Sequence, residues 1–158
     1  MPNITTLGSS TFYNCKNLIR VNLPKVTHIG SACFSYCESL ESLYLPALIG
    51  VDEDQWGQNF SYCFSLKKIY LPNYTGAICT NAFNSDKALV TLILGADTVC
   101  PLQDSSSSFN ATPIKNGKGY IYVPKSHIEE YKIAENWSTF AKQFRAIEDY
   151  PSILEGWE

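Results

Sequence analysis

The chain has 158 residues, 45% of them hydrophobic and 13% aromatic, which is more apolar surface than a disordered chain carries and suits one domain. A net charge of −3 and a pI near 5.4 argue against a nucleic-acid partner, which usually needs a basic face. No run approaches the roughly 20 apolar residues that span a bilayer, and the opening MPNITTLGSS lacks the basic segment and apolar core of an export signal, so no membrane insertion is expected.

Laid over itself, the chain repeats. NLIRVNLP, SLESLYLP, SLKKIYLP and ALVTLILG align without gaps, with first leucines at Leu18, Leu40, Leu66 and Leu89. Phe12, Phe34, Phe60 and Phe83 each stand six residues upstream of those leucines. Cys15, Cys37 and Cys63 share a third position, which Asp86 takes in the fourth unit. Each unit closes on Pro24, Pro46, Pro72 or Gly95, and a degenerate fifth unit runs from Phe109 to Pro124. Several landmarks moving by the same increments define a repeat array over residues 1–124, truncated in its first unit.

The start, PNITTLGSSTF, matches PKVTHIGSACF at an offset of 22, so the chain enters partway through a unit with no polar cap. That implies either missing upstream repeats or self-association through the uncapped N-terminal coil. Within each unit the last residues alternate, as in Leu43 and Leu45, and predict a short strand with one buried face. The proline that follows has no amide hydrogen and belongs at the strand's exit. The stretch from Gly8 or Gly30 to the phenylalanine reads as a compact turn or short helix. A unit this short cannot bury its own apolar face, so the units must stack, with the phenylalanines in a column behind one parallel sheet.

Two loops lengthen the repeat. VDEDQWGQN between Pro46 and Phe60 carries Trp56, and QDSSSSFNATPIKNGKG precedes the fifth strand. Such loops are either contact points or tolerated insertions. After Pro124, Ser126 and Glu129 have capping-box spacing, and Ile128, Tyr131, Trp137, Phe140, Ala141, Phe144 and Ile147 continue at helical spacing. Residues 125–149 are therefore expected to form a helical cap, with 150–158 a loosely held acidic tail.

The motif resembles the BspA-like leucine-rich repeats, whose unit reads approximately I-G-x-x-A-F-x-x-C-x-x-L-x-x-I-x-L-P; IGSACFSYCESLESLYLP is the nearest match here. The resemblance implies an α/β leucine-rich-repeat solenoid, a right-handed β-α superhelix. It also implies kinship with surface-exposed bacterial and protist adhesins and phage-encoded surface proteins, hence an extracellular or cell-surface setting. The motif residues are structural, so the resemblance transfers no site.

The chemistry-bearing residues point away from catalysis. The two histidines, His28 and His127, fall in different repeats, and no nucleophile elbow, phosphate-binding loop or zinc-protease motif is present. One cysteine per unit does not converge on a metal, so the six read as core thiols, with Cys79 and Cys100 the only pair worth considering for a disulfide. No cofactor and no metal are expected. The outward strand positions give Asn22, Tyr44, Tyr70, Ile93 and Tyr122 in one row, and Arg20, Ser42, Lys68, Thr91 and Tyr120 in the next. Tyr44, Tyr70, Tyr120 and Tyr122, flanked by Arg20, Lys67 and Lys68 and joined by Trp56, form the candidate binding surface for a protein or glycan. The rival reading is that cross-strand tyrosines only stabilise the sheet, in a structural spacer. A polymer hydrolase is a weaker third, requiring an acidic pocket with a perturbed carboxylate.

Overall fold

A computed structural model describes residues 3–52 and 57–157. The alternation in the sequence becomes alternation in burial. Strand β3 (Ser42–Tyr44) buries Leu43, and β5 (Lys68–Leu71) buries Ile69 and Leu71. With β6 (Thr91–Leu94), β7 (Tyr120–Val123) and β8 (Phe144–Ala146) they form a five-stranded parallel sheet in the order β3-β5-β6-β7-β8. Parallel neighbours need a crossover between them, and here each crossover is the rest of one repeat. Residues 18–23, the counterpart in the first coil, form no strand, so Arg20 stands beside the sheet rather than in it.

The expected single sheet is corrected to two. Short strands β1 (Thr6–Leu7), β2 (His28–Ile29) and β4 (Gly50–Val51) pair in parallel on another side of the coils, and an Ile78–Leu102 bridge makes a like pairing in later coils. Gly30 lies here so close to the preceding coil that an added Cβ would run into the Ser9 backbone nitrogen.

A third side is built from turns. The residue two beyond each phenylalanine is left-handed: Asn14, Tyr36, Tyr62, Ser85 and Ala111, with φ of 60°, 62°, 61°, 66° and 58°. This conformation costs a non-glycine residue about 1–2 kcal/mol. It is held by bonds to the next coil. Phe34 and Tyr36 donate to the carbonyls of Asn59 and Ser61, both at 2.9 Å, and Phe83 and Ser85 to those of Ser108 and Asn110, both at 2.8 Å.

Between these sides runs the phenylalanine column. Rings 12–34, 34–60, 60–83 and 83–109 lie 5.2, 6.1, 5.6 and 5.1 Å apart, the first three pairs within 15° of parallel. The cysteines do more than fill space. The Cys37 and Cys63 thiols reach back one coil, donating to the Phe12 and Phe34 carbonyls at 3.2 and 3.1 Å. No disulfide joins any two of the six cysteines, Cys79 and Cys100 included.

Residues 125–149 depart from the single helix expected of them. A 3-10 turn (Lys125–His127) leads into α2 (Ile128–Ile133), which follows a short α1 (Ser105–Ser108) in the chain. Ser126 lies inside that turn rather than at the N-cap of α2, so the capping box does not form. Ala134 is extended and Asn136 left-handed, because tertiary bonds outweigh helical spacing here. The Asn136 amide donates to the Leu102 carbonyl at 2.8 Å, and the Trp137 indole to that of Cys100 at 2.7 Å. Tyr131, Trp137, Phe140 and Phe144 still gather in one cluster, with Phe140 4.9 Å from Phe109. Phe144 reaches it from a strand, β8, which extends the repeat sheet by one rung.

Candidate functional site

The outer face of the five-stranded sheet carries two rows. The pairing sets Tyr44, Tyr70, Ile93, Tyr122 and Arg145 side by side, and beside them Ser42, Lys68, Thr91 and Tyr120. The tyrosines touch. Tyr44 and Tyr70 stack at 5.3 Å and 14°, and Tyr120 meets Tyr122 edge-on at 6.4 Å. The Arg145 guanidinium sits 4.3 Å above the Tyr120 ring, an attraction between cation and ring face.

This face is not open to solvent as expected, because the chain's own tail lies across it. Residues 150–157, expected to be loosely held, include a 3-10 turn (Pro151–Leu154). Tyr150 packs edge-on against Tyr122 at 5.7 Å. Trp157 lies against Tyr70 at 5.6 Å and Tyr44 at 6.1 Å, with the Lys68 ammonium 4.4 Å from its ring centre. Tyr122 is consequently 8% exposed and Ile93 fully buried, whereas Tyr120, off the tail's line, keeps 40% of its surface. Burial pushes the Tyr70 and Tyr122 hydroxyls above the ordinary tyrosine range, with Tyr44 and Tyr150 respectively adding to the shift.

Beside Trp157 the face opens into a cavity of about 240 Å³. Arg20, Lys67 and Lys68 line it together with Glu41, Tyr44 and Trp157 itself, so cations outnumber carboxylates three to one. Of the residues expected from the sequence, Tyr44, Arg20, Lys67 and Lys68 thus meet at one end of the sheet, and Tyr120 and Tyr122 at the other. Trp56 lies outside the described residues. Arg145, Tyr150 and Trp157 were not foreseen. The Phe144–Arg145–Ala146 alternation matches that of Ile121–Tyr122–Val123, and a tryptophan in an otherwise acidic tail facing a cationic row was a further signal.

A second aromatic surface runs along the turns. Tyr36 and Tyr62 stack at 4.5 Å and 3°, Tyr13 meets Tyr36 at 5.6 Å, and Lys87 lies 5.2 Å from the Phe64 ring. Its rings alternate along the turns rather than across a sheet, so the strand pattern did not reveal it.

Burial works against nucleophilic chemistry at three of the thiols. Burial raises the Cys33 thiol to about 11 and those of Cys37 and Cys100 to about 12, so none is a nucleophile near neutral pH. His127 is flanked by Glu130 at 3.0 Å and Asp97 at 2.8 Å, an arrangement that superficially suggests a catalytic base. The hydrogen bond to Glu130, then that to Asp97, raises its pKa above 6.5, favouring the cation. A group held protonated in the fold stabilises it below the unfolded value and loses that contribution as pH rises through the folded one. His127→Gln should therefore lower the melting temperature at about pH 5.5 and leave it unchanged at about pH 9. An equal loss at both would show that the ion pairs contribute nothing. Among the described residues no cluster of three or more ligands could hold a metal ion, and no helix is long and apolar enough to cross a membrane.

No curated protein matches the chain. The family model for the BspA type leucine rich repeat region matches it in six copies, over residues 1–105 and 57–144. The match extends beyond Pro124 into the segment that contributes β8. With this match over coils that pair in parallel and share one phenylalanine column, the chain belongs to the BspA-type leucine-rich repeat family.

Proposed function

We propose that the protein is a non-enzymatic recognition module that binds a protein or glycan through the outer face of its five-stranded sheet. Residues 1–124 supply the repeats of a solenoid, 125–149 close its end, and the molecule works at a cell or particle surface. One observation carries the reading: four tyrosines and two cations, Lys68 and Arg145, stand in adjacent rows on one sheet face. Tyrosine supplies large contact area at little ordering cost, tyrosine and arginine are both enriched among the residues that dominate interface energy, and the rings also suit the flat faces of sugars. The cationic cavity beside Tyr44 favours ligands with a carboxylate or another anion. A structural spacer would need neither the cavity nor the clustered cations. The first coil, whose Arg20 and Val21 line this cavity, also exposes Ile19 at 55%, and self-association through that coil is an additional contact of the proposal.

The test compares the full chain with a Tyr44→Ala/Tyr70→Ala variant on an array of oligosaccharides and an array of peptides. The variant should weaken the strongest ligands by about 10–100-fold, since central aromatic contacts dominate binding energy. Its melting temperature should fall by some degrees without loss of folding, since the stacked pair adds about 0.5–1.5 kcal/mol to the burial of two partly exposed rings. Ligands retained in full by the variant would favour the spacer.

A further inference from the structure

Tyr150 and Trp157 occupy the places on the tyrosine row that an external ligand would take. The seat is made by side chains. The amides of Tyr150, Ile153 and Glu155 bond the carbonyls of Ile147, Tyr150 and Ser152, and the Trp157 indole bonds the Ile153 carbonyl at 2.7 Å, all local partners. Ring contacts and one cation over Trp157 join the segment to the sheet. An attachment of that kind exchanges more readily than a strand in a ladder, whose amides would all have to be released.

Charge reinforces the seat. Residues 148–158 contain Glu148, Asp149, Glu155 and Glu158 and no lysine or arginine. Just before the segment begins, Asp149 pairs with the Lys125 ammonium and Glu148 accepts the Lys125 amide, both at 2.9 Å, and within it Trp157 meets the Lys68 ammonium. Among the described residues, Gly156 and Trp157 of the tail form one wall of the cavity that Arg20, Glu41, Lys67 and Lys68 also line. A peptide that put an aromatic ring where Trp157 lies and a carboxylate beside Arg20, Lys67 and Lys68 would meet the rings and cation that hold Trp157 and add an ion pair.

We propose that Tyr150–Trp157 is a built-in ligand that closes the tyrosine row, and that the external partner is an acidic peptide bearing a tryptophan, which binds by displacing it. This rests on the reading of the face as the recognition surface. The tethered tail competes at the high effective concentration of a short linker, so the closed chain binds an outside peptide weakly and the opened one binds it well.

The probe is a fluorescein-labelled synthetic peptide with the sequence of residues 149–158, followed by fluorescence anisotropy. It is titrated into the natural full chain and into the full chain carrying Tyr150→Ala and Trp157→Ala. Neither side chain belongs to the buried core, so both proteins should melt alike, and circular dichroism checks this. The opened variant is expected to bind the peptide at least about tenfold more tightly than the natural chain. A peptide with alanine for its tryptophan should bind neither. Equal affinity for the two proteins, or no binding to the opened one, would overturn the built-in ligand. A uronic-acid oligosaccharide that binds the opened variant where the peptide does not would overturn the peptide partner in favour of a glycan. Adding Tyr44→Ala and Tyr70→Ala to the opened variant should abolish peptide binding. Tight binding that survives would move the seat off the tyrosine row and sink the functional reading itself.

Discussion

Replacing Phe83 by alanine should destabilise the protein by about 3–5 kcal/mol, whereas the same change at Phe12 should cost less than about half of that. Phe83 is fully buried and touches a ring on each side, Phe60 at 5.6 Å and Phe109 at 5.1 Å. Phe12 is only partly buried and has one ring neighbour, Phe34 at 5.2 Å. Deleting an interior ring leaves a cavity that the coils above and below cannot close, because both are pinned by their sheet and turn bonds. In a stacked array the loss is also felt by both neighbouring interfaces. For a chain of this length the interior change corresponds to a fall in melting temperature of roughly 10 °C. Urea unfolding of the two variants measures the contrast. Equal losses would mean that the rings do not act as a column.

Asp86 provides the second large effect, with the opposite sign. It occupies the cysteine position of the fourth unit and is fully buried. One carboxylate oxygen accepts the Cys63 amide at 2.8 Å, and the other has no hydrogen-bond partner. Burial pushes this carboxyl well above its ordinary value of 3.8, only partly offset by the Cys63 amide, so the fold favours the neutral acid. Its contribution is complete below the unfolded value and is lost as pH rises towards the folded one, at up to about 1.4 kcal/mol per pH unit. Asp86→Asn keeps the acceptor for Cys63 and removes the titration. The variant should match the natural chain below the unfolded carboxyl value and exceed it by a margin that grows as the pH rises above that value. Melting both proteins across that range checks the sign. A margin independent of pH would show that Asp86 does not change its protonation on folding.

The features legible in the sequence are those fixed by a short period. Strand alternation predicted that Tyr44, Tyr70, Ile93 and Tyr122 share a row, and the pairing has that register. The column of Phe12, Phe34, Phe60 and Phe83 followed from one increment shared by several landmarks. What escaped was decided by contacts distant in sequence. Trp137, Phe140 and Phe144 have helical spacing, but a turn and a strand can also bring them to one cluster, and Asn136 breaks the helix by bonding Leu102 and Gln103. The second sheet rests on strands of two residues, too short for alternation to register. The thiol bonds of Cys37 and Cys63 depend on the coil behind them. Trp157 meets Tyr44 across most of the chain's length, and composition alone made that tail look unattached.

The seat of Trp157 on Lys68 can be read directly by nuclear magnetic resonance. With the ammonium 4.4 Å from the indole centre, the Lys68 side-chain methylene protons should resonate well upfield of an exposed lysine's and return to ordinary positions in Trp157→Ala. Ordinary positions in the natural chain would mean that the tail does not lie on this face.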